Sequence, residues 1–201
     1  MAPWKQRTLV ALTTCLLTAC STSRQASDEG APGEPRPFAL DTSEWPEERR
    51  ALEADFHAWL SEYAPLDAAL RQGVSNFHSV IQRRSTGQTA LDTRLRNYLK
   101  GSSDPELNAW GSMRLAQTYL NFACEVEDIT APPGLTAEQD RAFRDSIDAM
   151  AADLFTKTIA TLNAVTEQGV DAWSDKAEYL RLHLEPPTSA SCETTSAYWR
   201  P

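Results

Sequence analysis

The stretch from Leu115 to Ile147, LAQTYLNFACEVEDITAPPGLTAEQDRAFRDSI, decides the fold. Its first part sets Leu115, Tyr119, Phe122 and Val126 three and four residues apart, the period of one helical face. The segment TAPPGL then ends that helix, because proline has no N–H to continue the hydrogen-bond ladder. Thr136 followed three residues later by Gln139 is a capping box, in which each side chain satisfies the other's free backbone N–H. From there Phe143, Ile147, Met150, Leu154, Ile159, Leu162 and Val165 carry the same spacing to about Gln168, and Gly169 supplies a C-cap. Two long helices with apolar stripes and a short connection bury those stripes against each other as antiparallel neighbours.

Working upstream, Asp104-Pro105-Glu106 is a start signal that opens the first of these helices, through Leu107 and Trp110 to about Asp128. A short helix at about 88–100 carries Leu91, Leu95, Tyr98 and Leu99 and stops at Gly101. Before it, Pro65 opens a helix with the stripe Leu66, Leu70, Val74, Phe77 and Ile81, in which Gly73 is a weak spot. The most upstream helix is capped by Ser43, opens on Glu44, Pro46, Glu47 and Glu48, and carries Leu52, Phe56, Trp59, Leu60 and Tyr63. Downstream, a helix at about 171–184 carries Trp173, Ala177, Leu180 and Leu184 and is stopped by Glu185-Pro186-Pro187. No strand of useful length appears. The pattern predicts an all-α fold of about six helices over residues 43–185, built as antiparallel pairs, either a bundle or stacked pairs. The Ser/Thr-rich residues 186–201 predict an irregular tail.

Across 201 residues, 19 basic side chains face 28 acidic ones, a formal charge of −9. That balance excludes nucleic acid as a partner, since binding phosphate backbones takes a basic surface. It equally disfavours adhesion to anionic lipid through a polybasic face.

The N-terminus has its own organisation. Lys5 and Arg7 precede the apolar run Thr8–Ala19, which as a helix rises about 18 Å, short of the roughly 30 Å of bilayer hydrocarbon. A secretory leader fits and a spanning helix does not. Leu17-Thr18-Ala19-Cys20 resembles the lipobox of bacterial lipoproteins. The resemblance implies removal of residues 1–19, diacylglycerol on the Cys20 thiol and acylation, palmitate included, of the new amino group. It implies membrane attachment through the lipid anchor on Cys20. Ser21, rather than Asp, after the lipidated position points to the outer membrane, at its periplasmic face. Loss of Lys5 and Arg7 takes the formal charge from −9 to −9 − 2 = −11. Residues 20–42, rich in Ser, Pro, Gly and charge, read as a flexible tether reaching about 25 Å.

Cys124 and Cys192 remain. In an oxidising compartment they form either a disulfide that ties the C-terminal tail to the helical core, or two separate thiols, one buried and one in the tail. Their spacing fits no metal motif. The tryptophans Trp45, Trp59, Trp110 and Trp173 read as core anchors at helical spacing, whereas Trp199 in the tail is the candidate for a partner contact or for folding back on the core.

Reactive constellations are few. His57 sits four residues after Glu53 and reads as a helix-surface pair; His57 and His78 on antiparallel neighbours are the one arrangement that would suit a metal, and ordinary surface histidines are the plainer reading. Glu125, Glu127 and Asp128 oppose the dipole at a helix end, which reads as a solvated terminus, with a cation or partner contact as the alternative. No nucleophile elbow, phosphate loop, dinucleotide fingerprint or haem-attachment motif occurs. The expectation is a non-enzymatic protein without a cofactor.

A family resemblance covers residues 105–184. Leu115–Tyr119 is similar to the L-G-x-x-Y turn of tetratricopeptide-like (TPR-like) lipoproteins of gliding bacteria, with Ala116 where glycine is usual. Pro133–Gln139 resembles their loop, Ala151 and Phe155 the A-x-x-x-F spacing, and Gly169–Ala177 with Trp173 their closing unit. Residues 44–100 do not align to that repeat. The resemblance implies a scaffold that binds a protein partner in a cell-envelope complex. The alternative is a helical carrier or sensor for an apolar or cell-wall-derived ligand, which an internal cavity lined by Phe and Trp would favour.

Overall fold

The computed structural model describes residues 40–62, 66–185 and 189–195. The leader, Cys20, most of the tether, Tyr63, Pro65 and Trp199 lie outside the described residues. The fold is all-α, and the described residues form seven helices: α1 Glu47–Ser61, α2 Leu66–Arg71, α3 Val74–Leu99, α4 Pro105–Glu127, α5 Ala137–Glu167, α6 Asp171–His183 and α7 Ser189–Thr195.

The centre of the fold is α4. Every residue from Ala109 to Val126 is buried except Ser112, which is half-buried. A helix enclosed on all sides needs neighbours on all sides, and α4 has them: α5 runs along it, while α1, α3, α6 and α7 take the remaining faces. Its start follows from its cap. The Asp104 carboxylate accepts hydrogen bonds from the backbone N–H groups of Glu106 and Leu107, and Pro105 needs none. At the head of α5, Thr136 and Gln139 bond reciprocally at 3.0 and 3.2 Å. Gly169, at φ +66°, ends the turn between α5 and α6.

Four local expectations change. Ser43 does not cap α1: its N–H bonds back to Asp41, a turn closes from Trp45 to Thr42, and the helix opens after Pro46. The break falls at Gly73 rather than between Ile81 and residue 88. There φ is +129° and ψ 154°, a conformation only glycine adopts readily. The helix expected from Pro65 through Ile81 and the one expected at about 88–100 are therefore a two-turn α2 and one continuous 26-residue α3. Part of the tail expected to be irregular is α7. Finally, Glu125 is not at a solvated end but only 2% exposed.

Gly87 stays inside α3 because the Trp59 indole of α1 lies directly on it. A Cβ there would sit 2.9 Å from Trp59 Cδ1. Trp59 is buried and its Nε1 donates to the Arg84 carbonyl, so the ring has little room to retreat. Gly87→Ala is expected to lower stability by about 1–2 kcal/mol, the overpacking cost exceeding the helix-propensity gain. Urea denaturation checks this; an unchanged or raised midpoint would mean that the α1–α3 contact yields.

Candidate functional site: a charged seam on the central helix

Five polar or aromatic side chains of α4, Trp110, Arg114, Gln117, Asn121 and Glu125, recur at intervals of four, three, four and four residues. That spacing puts them on one face. The face opposite on α1 repeats every four residues: Arg49, Glu53 and His57, with Trp45 one step before the helix. Where the two meet, Arg114 Nε donates to Glu53 Oε2 at 2.8 Å and Arg114 Nη2 to Glu53 Oε1. The Trp110 indole N–H reaches the same carboxylate at 3.0 Å, and Arg114 Nη1 donates to Gln117 at 2.7 Å. His57 is at hydrogen-bond distance, 3.2 Å, from the outer Glu53 oxygen.

Three turns further along α4 the polarity reverses. Glu125 of α4 accepts from Arg84 of α3, through Nε at 2.9 Å and through Nη2. Arg84 also donates to Asn121 Oδ1 at 2.8 Å and to the Trp59 carbonyl. Each guanidinium lies on an aromatic ring: Arg84 3.8 Å above Trp59, Arg114 4.7 Å from Phe56, and Arg49 3.6 Å from Trp45 and 4.6 Å from Trp110. Such stacking suits arginine, whose flat and weakly hydrated cation tolerates apolar neighbours. Tyr119 extends the contact between α3 and α4 at its rim, donating to Asp92 and accepting from Arg96.

The two carboxyls respond differently to their surroundings. Burial opposes ionisation of Glu53, but the Arg114 guanidinium and the Trp110 N–H overcome it, holding the carboxyl below its ordinary value. Glu125 is sealed more completely, and burial pushes it up to about 7 against the pull of Arg84. Burial likewise lowers Arg49 and, together with the Arg114 charge, Lys176. A carboxyl near neutrality is what general acid catalysis uses, yet a catalytic acid must meet substrate. Glu125 and Arg84 are closed to solvent. Two open clefts of the described surface lie away from them, one lined by Asn163, Thr166, Glu167, Glu178 and Arg181, the other by Ser85, Thr86, Thr89, Ala90, Thr93 and Arg94. The seam thus clamps α1 and α3 onto opposite ends of α4.

Of the candidates read from the sequence, His57 and Glu125 fall in the seam and the others outside it. Cys124 and Cys192 are joined in a disulfide with Cα atoms 5.6 Å apart, linking α4 to α7 across 68 residues. His57 is directed to Glu53, and His78 stacks edge-on against Phe77. Among the described residues no group of three or more His, Cys, Asp or Glu is placed to hold a metal, and no helix is long and apolar enough to cross a membrane. Arg49, Arg84, Arg114, Gln117 and Asn121 are not evident from sequence, because polar and charged side chains on helices are normally solvated. One signal was present: Arg84 occupies a core position in the series Phe77, Val80, Arg84, Leu91 and Leu95.

No family model, curated protein or solved structure matches this chain.

Proposed function

We propose that the chain is a lipid-anchored envelope lipoprotein whose helical body is a non-enzymatic scaffold for a protein partner. The observation that carries the reading is the buried Cys124–Cys192 bond in a chain opening with a leader-like segment and Leu17-Thr18-Ala19-Cys20. Structural disulfides belong to oxidising compartments, and the lipobox resemblance supplies a route to one and an anchor within it. The outer membrane's periplasmic face is the site of attachment in this reading. The tight Arg–Glu clamps support a rigid body over a catalytic one.

Within that body, the TPR-like resemblance at 105–184 spans α4, α5 and α6. Ala116 and Ala151, 1% and 0% exposed, sit where that resemblance places small residues between paired helices. Because α1 and α3 cover one side of α4, the partner face in this proposal is the outer side of α5 and α6. An open cleft of about 560 Å³ lies there, lined by Asn163, Thr166, Glu167, Glu178 and Arg181. A mixed polar lining of this kind suits a protein surface better than an apolar ligand.

Cys20→Ala tests the anchor. The substituted protein is expected to lose metabolic palmitate label and to leave the membrane fraction on cell fractionation. Full retention in membranes without label would remove the anchor from the account.

A further inference from the structure

The C-terminal helix α7 is only seven residues long. Helices this short do not hold together in water by themselves, because nucleation outweighs the few hydrogen bonds gained. Its sequence, Ser-Ala-Ser-Cys-Glu-Thr-Thr, offers no large apolar side chain with which to anchor to a core. Yet it is docked: Ser191, Cys192 and Thr195 are 8%, 3% and 0% exposed, and the helix packs on both α4 and α6. The helices it packs on are deeply buried, with Cys124 of α4, Leu180 of α6 and the α6 C-cap Leu184 all at 0%.

We infer that α7 is an oxidation-gated strap: it docks on α4 and α6 when Cys192 bonds to Cys124 and is undocked in the dithiol form. The covalent link anchors to α4 a short helix whose sequence brings no large apolar side chain of its own. Closure removes two electrons and two protons from the thiols. A disulfide-bearing oxidoreductase takes them and leaves as a dithiol, so that protein atoms and electrons balance. Completion of the fold is thereby coupled to arrival in an oxidising compartment, a consequence that rests on the proposed envelope location. The docking step itself does not.

Hydrogen exchange on the purified full chain, read by peptide mass spectrometry, tests this apart from any question of anchoring. The oxidised protein is compared with the same protein in dithiothreitol and with Cys192→Ser. In both thiol forms the amides of 189–195 are expected to exchange within a factor of about ten of the unstructured-peptide rate, while those of 109–126 stay protected. Persistent protection of 189–195 in either form would overturn the inference, because other contacts would then hold the helix. Loss of protection throughout α4 and α5 on reduction would overturn it equally, because the bond would then support the whole fold rather than a strap.

Discussion

Above pH 7, where Glu125 is ionised, replacing Arg84 with alanine is expected to lower the stability of the fold by about 3–5 kcal/mol, the cost of breaking a buried ion pair by removing one partner. The loss comes chiefly from what is left behind. Glu125 would keep its place in α4, closed to water, with neither the guanidinium nor a solvent shell to offset its charge. It then takes up a proton, which caps the cost without removing it. The Trp59 carbonyl loses its donor in the same change, and the Trp59 ring loses the cation stacked upon it. Replacing both partners, Arg84→Met with Glu125→Leu, should recover most of the loss, since apolar groups of similar volume need no pairing. Urea denaturation of the three variants checks this. A single variant within about 1 kcal/mol of the parent would show that the pair is open to solvent after all.

Acidity should act on the same pair with an unusual sign. Folded, the Glu125 carboxyl holds its proton up to about pH 7; unfolded, only to its ordinary value of 4.5. Between those limits the folded state binds more protons, so this group's contribution to stability falls as pH rises from 4.5 through 7. The span corresponds to about 3 kcal/mol. Glu53 works in the opposite direction. Its carboxyl is held below 4.5, so its contribution is present above that value and is lost as acid carries the pH down through the folded value. The two windows do not overlap. Unfolding free energy should accordingly decline between pH 5 and pH 8, and Glu125→Gln should flatten that decline while leaving the loss in stronger acid. A parent profile that is level over that interval would contradict this assignment.

Much of the fold was legible because it depends on local chemistry. Asp104 before Pro105, the Thr136–Gln139 box and Gly169 each act through bonds to residues within four positions, so the sequence displays both partners. The boundary between α2 and α3 could not be read that way. Gly73 and Gly87 look alike in a helical pattern, and they differ only in what surrounds them. Gly73 has open space and takes a positive φ of +129°, whereas Gly87 is held helical beneath Trp59, 28 residues upstream. The seam was hidden for a similar reason. Glu53 and Arg114 are 61 residues apart, and Arg84 and Glu125 are 41 apart. Nothing local tells a buried arginine from a solvated one except its place in an apolar series. α7 had no local signal at all, since a seven-residue polar segment becomes a docked helix through a bond formed 68 residues away.

Intact mass spectrometry of the protein extracted from its native membranes tests the account most directly. A chain beginning at Cys20, carrying three acyl chains and two hydrogens lighter than its reduced form, is the predicted result. An uncleaved leader, an unacylated Cys20, or Cys124 and Cys192 that alkylate freely without reductant would contradict it.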